Sequence, residues 1–151
     1  MKIMKIEKLK FTELDKMKAP ILAKINLFKN KKVLVVGDIG IDEYIKGLVK
    51  RISPEAPVPV LNVVKKENCL GLAANVAKNI SNLGAECCLI SVTGDDKNKE
   101  SIEKLCEKNN IKFNFISDGS RPTTIKTRVI HEAHHIAVSY THLTLPTKRI
   151  V

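Results

Sequence analysis

The order of apolar and polar positions predicts strands that alternate with helices. Two short unbroken apolar runs, 33–38 (VLVVGD) and 87–92, favour strands that are buried on both faces. Residues 113–116 and 123–130 are also expected to be extended. Helical periods separate these runs, so the pattern predicts a parallel α/β sheet with right-handed crossovers.

Two helices are predicted between these strands. The first begins at Ala73 and stops at Gly84, and the second runs from about Asp96 to Lys108. The apolar stripe of the first consists of Ala73, Val76, Ala77, Ile80 and Leu83; the inward residues of the second are Ile102, Leu105 and Cys106.

The segments before and after the first strand do not follow this alternation of buried strands and helices. Residues 1–31 are expected to form a helical extension. A capping box at Thr12–Asp15 opens a first short helix, and Pro20 starts a second. The apolar residues of the second helix, Ile21, Leu22, Ile25 and Phe28, lie roughly on one face. Residues 43–68 contain three prolines among β-branched residues, which favours edge strands or a small outlying sheet.

Composition narrows the classes of function. Lysine and arginine total 26 against 16 acidic residues, giving a net charge of +10, but aromatic residues make up only 4% of the chain. Scattered lysine with few aromatics argues against nucleic-acid binding. No apolar run is long enough for a membrane helix, and four cysteines without C-x-x-C spacing fit a reducing cytoplasm. Cys87 and Cys88 are expected to behave as small buried apolar residues.

Two groups of residues are candidates for chemistry. Asp38 and Asp42 follow a predicted strand, where their carboxylates could accept hydrogen bonds from the hydroxyls of a polyol. Gly71 and Asn75 flank a predicted loop-to-helix junction, whose free N–H groups favour an anion or a hydroxyl-rich ligand. Spacing alone also fits a turn cap, a solvated carboxylate and a glycine kept for close packing.

Five strings together resemble the ribokinase-like (PfkB-type) carbohydrate kinases, and within them the D-glycero-β-D-manno-heptose 7-phosphate kinases. They are VLVVGDIGIDEY, RISPEAPVPV, AANVAKNISNLGA, VTGDD and RPTTIKTRVI. The resemblance covers about residues 32–136 and implies a three-layer α/β/α fold with a parallel sheet and a small β lid at about 43–66.

The resemblance also implies roles for individual residues. Asp38, Asp42, Gly71 and Asn75 match positions that contact the sugar, and Arg51, Lys126 and Arg128 are candidates for holding anionic groups. The implied reaction is transfer of the γ-phosphoryl of ATP, with Mg²⁺, to a sugar phosphate. A homodimer is expected of the full-length form.

This chain departs from the family pattern at several points. Leu72 replaces the second glycine of G-G-A-A-N, where it would crowd the sugar, and Gly40 replaces a usual methionine. The family's catalytic aspartate lies in a G-A-G-D motif, which does not occur in this sequence. We therefore expect no catalytic residue in the chain and interpret it as an N-terminal fragment.

The last residues support the same interpretation. AVSYTHLTLPTKRIV, residues 137–151, resembles a translated sequencing adapter and is expected to be a non-native tail, although a divergent natural terminus is the alternative. Two rival functions remain: a non-catalytic sugar-binding module and, more distantly, a zinc hydrolase using HEAHH at 131–135. For the second we expect no metal site, because HEAHH follows a β-branched run that favours a strand and a polar turn rather than a helix.

Overall fold

The structure is a computed structural model that describes residues 11–141, with side chains described at Lys18 and from Pro20 onward. Three α-helices lie in this part of the chain: α1 (Phe11–Asn26), α2 (Leu72–Asn82) and α3 (Lys97–Lys108). It also contains seven strands: β1 (Lys32–Val36), β2 (Ile39–Ile52), β3 (Pro59–Gly71), β4 (Glu86–Thr93), β5 (Ile111–Ser117), β6 (Thr124–His131) and β7 (His134–Tyr140).

The predicted parallel sheet is present, with strand order β1-β4-β5. Alternate residues of β4 are buried, and these pack with the buried sides of α2 and α3. The core cluster consists of Ile39, Ile41, Leu70, Ala74, Ala77, Cys87, Leu89, Ile102, Cys106 and Ile111. Burial raises the pKa of the Cys106 thiol to about 12, which agrees with its role as a small apolar residue.

Strands β1 and β4 were predicted to be buried on both faces, and in the described part of the chain this prediction is wrong. Leu34 is 59% exposed and Val36 is 70% exposed, whereas Cys87 and Leu89 are fully buried. Helices α2 and α3 cover only one face of this sheet, so the residues of β1 and β4 alternate between core and surface.

The second sheet is larger than the expected lid. Strands β2 and β3 form a long antiparallel hairpin that extends beyond residues 43–66, from Ile39 to Gly71. Strand β6 pairs in parallel with β2, and β7 adds to β6, giving the order β3-β2-β6-β7. Residues 124–131 are therefore extended as predicted, but they belong to this lid sheet and do not continue the parallel sheet.

Helix α2 ends where the sequence predicts, because Gly84 has φ +92° and follows the helix in a left-handed conformation. Its buried side agrees with the predicted stripe in part, because Ala77 is in the core cluster and Ala73 and Ile80 pack against it. Ala74 and Ala77 are fully buried, while Val76 is 50% exposed. The core needs small residues here, since α2 packs closely on β1, β2 and β4.

The N-terminal segment contains one helix where the sequence predicts two. Pro20 lies inside α1 and does not restart a second helix. Ile21, Leu22 and Phe28 are all more than 40% exposed, so this segment contributes little to the core. Residues 1–10 and 142–151 lie outside the described part, and none of the helices between them is long and apolar enough to cross a membrane.

Candidate functional site

One face of the lid sheet carries three of the six predicted polar residues. Side chains alternate along a strand, so Asp42 and Tyr44 of β2 share a face. The parallel register places Lys126 beside Asp42 and Arg128 beside Tyr44. Of the candidate residues, Asp42, Lys126 and Arg128 are therefore brought together by pairing of strands that are far apart in sequence.

Asp42 and Arg128 form a partly buried ion pair. Arg128 Nη1 lies 2.8 Å from Asp42 Oδ1, and the two side chains are only 17% and 21% exposed. Nη1 has no well-aligned hydrogen bond, so the contact is an ion pair and not a full charge-assisted hydrogen bond. The guanidinium carbon also lies 5.1 Å from the centroid of the Tyr44 ring, which positions the arginine from a second side.

Lys126 differs from its neighbours because it has no carboxylate partner among the described side chains. Its Nζ lies 5.0 Å from the centre of the Tyr140 ring. Lys46 and Lys65, by contrast, both contact Glu67, and their hydrogen bonds lower the pKa of that carboxyl to about 2. Lys126 is thus the cation of this face that is best placed to receive an anionic group.

Gly71 connects the lid to α2 and lies directly against Asp42. It pairs with Gly40 in the hairpin. A Cβ at residue 71 would stand 3.2 Å from Asp42 Cγ and 3.1 Å from the Gly40 carbonyl oxygen. Glycine therefore allows the close approach of the β3 end to β2, and a side chain here would displace the Asp42 carboxylate.

Asp38 meets the start of α2 through the backbone. The Ala73 N–H donates to the Asp38 carbonyl oxygen over 3.0 Å, which fixes the strand end beside the helix. Asn75 is exposed in the first turn of α2. Within residues 11–141, no hydrogen bond or ion pair uses the side chain of Asp38 or Asn75, so both remain available to a ligand.

Arg51 lies apart from these residues. It is exposed and pairs with Val60 near the far end of the hairpin. Nine positions separate it from Asp42 on the same strand, which is about 30 Å at the usual rise per residue. The structure does not bring Arg51 together with the other candidates.

Sequence reasoning missed two residues of this face, Tyr44 and Tyr140. The signal for Tyr44 was its i+2 spacing from Asp42 on a strand. Tyr140 lies in β7, opposite Lys126, inside the segment expected to be a non-native tail. That expectation for residues 137–151 stays a prediction, with 142–151 outside the described residues.

A second polar cluster joins the strings VTGDD and RPTT. Asp96 Oδ2 accepts a hydrogen bond from the Thr123 N–H at 2.9 Å, and Thr123 Oγ1 accepts one from the Gly94 N–H at 3.0 Å. These contacts hold the start of β6 against the end of β4. The two strings therefore act together in this structure as a support for the lid.

HEAHH forms the turn of a β-hairpin. His131 pairs with His134, and Ile130 with His135, across β6 and β7. His131 Nδ1 accepts a hydrogen bond from the Val49 N–H at 3.3 Å, so this ring links β6 to β2. The histidines thus lie on two antiparallel strands. The sequence predicted instead that HEAHH follows one strand and forms a polar turn.

The described residues provide no set that fits a magnesium ion. Within residues 11–141, no three His, Cys, Asp or Glu side chains lie close enough to hold a metal. Hard cations need several oxygen ligands, and Asp42 is already paired with Arg128. We therefore derive no chemical step through Mg²⁺ or ATP from these residues.

Comparison with known proteins identifies the family. Residues 30–148 match the pfkB family carbohydrate kinase. Over 99 residues the chain is 48% identical to a D-beta-D-heptose 7-phosphate kinase of Bordetella bronchiseptica, covering 66% of this chain and 32% of that protein. It is 47% identical over 108 residues to the bifunctional protein HldE of Helicobacter pylori, covering 71% and 23%. The chain thus spans a third or less of the length of these relatives.

Solved structures agree on the fold. A carbohydrate kinase from Agrobacterium tumefaciens matches with a TM-score of 0.59 and 22% identity, covering 73% of this chain and 35% of that one. The microbiome-derived acarbose kinase Mak1 matches with a TM-score of 0.59 and 24% identity, covering 76% and 38%. The expected ribokinase-like α/β fold with its β lid is confirmed, and the chain belongs to the pfkB family of carbohydrate kinases.

Proposed function

We propose that this chain forms the sugar-binding part of a kinase that phosphorylates D-glycero-β-D-manno-heptose 7-phosphate at its anomeric hydroxyl. The donor in this proposal is ATP and the product is the 1,7-bisphosphate. The relative at 48% identity, a D-beta-D-heptose 7-phosphate kinase, supports the substrate. The observation that carries the proposal is the face on which Asp42, Arg128 and Lys126 meet the start of α2.

The acidic and amide side chains would bind the hydroxyls of the sugar. Carboxylate oxygens each accept more than one hydrogen bond, which suits Asp38 and Asp42 to a polyol. Asp42 is held by Arg128 and keeps a second oxygen for the ligand. Asn75 can both donate and accept at the first turn of α2, so it complements the acceptor-only carboxylates.

The cationic side chains would bind the phosphate that the substrate already carries. Lys126 is unpaired by carboxylates in the described part of the chain, and Arg128 retains N–H groups beyond its contact with Asp42. Arginine and lysine bind phosphate oxygens through charge-assisted hydrogen bonds. Arg51, at the far end of the hairpin, would act only if the hairpin folds over the ligand.

The lid sheet would exclude water from the reacting groups. Its hairpin β2–β3 is continuous with β6, so it can cover a ligand held beside Asp42 as one unit. Closure of this kind protects a phosphoryl donor from hydrolysis. Mg²⁺, when bound with ATP, would supply positive charge that offsets the charge of the phosphates. The proposal assigns neither its ligands nor a catalytic base to this chain.

Binding of the sugar can be tested on the 151-residue chain by titration calorimetry with D-glycero-β-D-manno-heptose 7-phosphate. We expect saturable binding that Asp42→Asn weakens about tenfold or more, since hydrogen bonds to a charged group contribute more than neutral ones. Glu55→Gln is the matched control, because Glu55 is exposed at the tip of the hairpin. Equal affinity in all three proteins would contradict the assignment of Asp42.

The reaction itself is tested with a longer protein that contains this sequence. Incubation with MgATP and the heptose phosphate should give a 1,7-bisphosphate, followed by phosphorus NMR. Phosphorylation of fructose or ribose derivatives but not of the heptose phosphate would show that the substrate assignment is wrong.

A further inference from the structure

Leu72 has a backbone conformation that leucine rarely adopts. Its φ is +53°, in the left-handed region where the Cβ of an L residue is crowded. The residue is the first of α2, so this conformation does not end a helix, the usual reason for a left-handed residue. Such strain persists only where surrounding structure enforces it, and it is often found at functional positions.

The side chain of Leu72 fills part of the space that a side chain at residue 40 would need. A Cβ at Gly40 would lie 2.9 Å from the Thr124 carbonyl oxygen and 3.2 Å from Leu72 Cδ1. Residues 40 and 42 are two apart on β2, so they point to the same face of the lid. The leucine methyl group therefore continues the row that contains Asp42 and Tyr44.

Both neighbours of Leu72 contact the candidate site. Gly71 lies against Asp42, and the Ala73 N–H donates to the Asp38 carbonyl oxygen. Leu72 itself is 47% exposed, so about half of its surface is accessible to a ligand. An exposed apolar group thus follows directly after Gly71, the residue that lies against the Asp42 carboxylate.

We propose that Leu72 is a specificity-determining residue that narrows the sugar pocket beside Asp42. The proposal rests on the sugar-binding function proposed above. A leucine methyl group fills volume and offers no hydrogen bond, so it excludes a hydroxyl from the space over Gly40. The ligands that fit are sugar phosphates that present a C–H group to this end of the pocket.

The test compares Leu72→Ala and Leu72→Gly with the wild-type chain in two measurements. The first is the affinity for D-glycero-β-D-manno-heptose 7-phosphate by calorimetry, and the second is the melting temperature. Both variants remove the side chain that crowds the ligand, so both should bind roughly tenfold more tightly, as relief of about 1.4 kcal/mol would give. Only glycine relieves the backbone, so only Leu72→Gly should melt higher, by about 3 °C.

Leu83→Ala is the matched control, since Leu83 is 41% exposed at the other end of α2 and has an ordinary φ of −76°. It should leave the affinity unchanged. Equal affinity in the wild type and both Leu72 variants overturns the inference while the proposed function stands. Tighter binding by Leu72→Gly alone also overturns it, because strain and not volume would then control binding. Absence of binding in every protein refutes both proposals.

Discussion

Asp96 shows how a single carboxylate can connect two segments of this chain. One of its oxygens caps α3 by accepting from the N–H groups of Asn98 and Lys99, and the other accepts from Thr123. Partial burial acts to raise the pKa of Asp96, but the hydrogen bonds from Thr123, Lys99 and Asn98 outweigh it. The pKa is therefore lowered, and the ionised form is the one that the fold stabilises.

The stability of the protein should consequently depend on Asp96 in acid. A lowered folded pKa contributes stability that is present above the unfolded value, near 3.8, and is lost as the pH falls through the folded value. We expect Asp96→Asn, which can keep the helix cap, to lower the free energy of unfolding by about 1 kcal/mol at neutral pH. Asp96→Ala loses the cap as well and should cost about 2 kcal/mol.

Urea unfolding between pH 7 and pH 3 measures both effects. The difference between the wild type and Asp96→Asn should shrink below about pH 4, because the carboxylate of the unfolded chain becomes protonated there before that of the folded protein. A difference that stays constant over this range would mean that the charge of Asp96 has no part in the stability.

At the scale of elements, the junction between β4 and β6 is packed too tightly for any side chain at Gly94. A Cβ there would lie 2.6 Å from both the Arg121 carbonyl oxygen and the Thr123 nitrogen. These are backbone atoms, which cannot move aside cheaply. The same junction holds the first residues of β6 in place, and β6 carries Lys126 and Arg128.

Gly94→Ala should therefore destabilise the protein by about 1–3 kcal/mol, the usual cost of overpacking. Gly119→Ala is the matched control, because a Cβ at residue 119 would meet no atom within 4 Å. Denaturant unfolding of the two variants gives the comparison. If both variants have the same free energy of unfolding as the wild type, the backbone atoms around Gly94 leave room for a side chain in solution.

At the scale of the whole molecule, the parallel sheet has one apolar face that is exposed in the described part of the chain. Leu34, Val36 and Ile116 are between 59% and 70% exposed. Exposed apolar patches promote association. In contrast, Val35 points to the opposite face and packs against the core cluster.

Threonine substitutions at the adjacent residues Val35 and Val36 should have different effects on stability, because the two side chains lie on opposite faces of the sheet. Val36→Thr should change the free energy of unfolding by less than about 0.5 kcal/mol, as for most surface substitutions, while lowering self-association. Val35→Thr should destabilise by about 1–3 kcal/mol, because it buries a hydroxyl without a partner. Thermal unfolding and analytical ultracentrifugation measure the two properties. Equal destabilisation by both variants would show that Val36 is covered in solution.

Much of the local structure followed from the sequence, because periodicity and end signals act within a few residues. The strand at 86–93, the helix that Asp96 caps and the stop at Gly84 were all predicted from neighbouring residues. The single helix through Pro20 was not, since proline inside a helix is normally excluded. The family was also readable from five short strings, and the comparisons confirm it.

The candidate site was only partly predictable. Their positions at a strand end and a helix start made Asp38, Asp42, Gly71 and Asn75 candidates, and family resemblance added Arg51, Lys126 and Arg128. The contact between Asp42 and Arg128 could not be read from the chain, because it depends on the parallel register of β2 and β6, whose paired residues are 84 positions apart. The isolation of Arg51 likewise depends on the length of the hairpin.

The sequence by itself determined most of the strands and helices from residue 32 to residue 131, since apolar periodicity, proline and glycine act locally. Only the tertiary structure decided which sheet each strand joins, which face of the parallel sheet is covered and how Leu72 lies over Gly40. These features arise from pairing and packing between distant segments. No local pattern encodes them, because the free energy that selects them comes from burying several elements together.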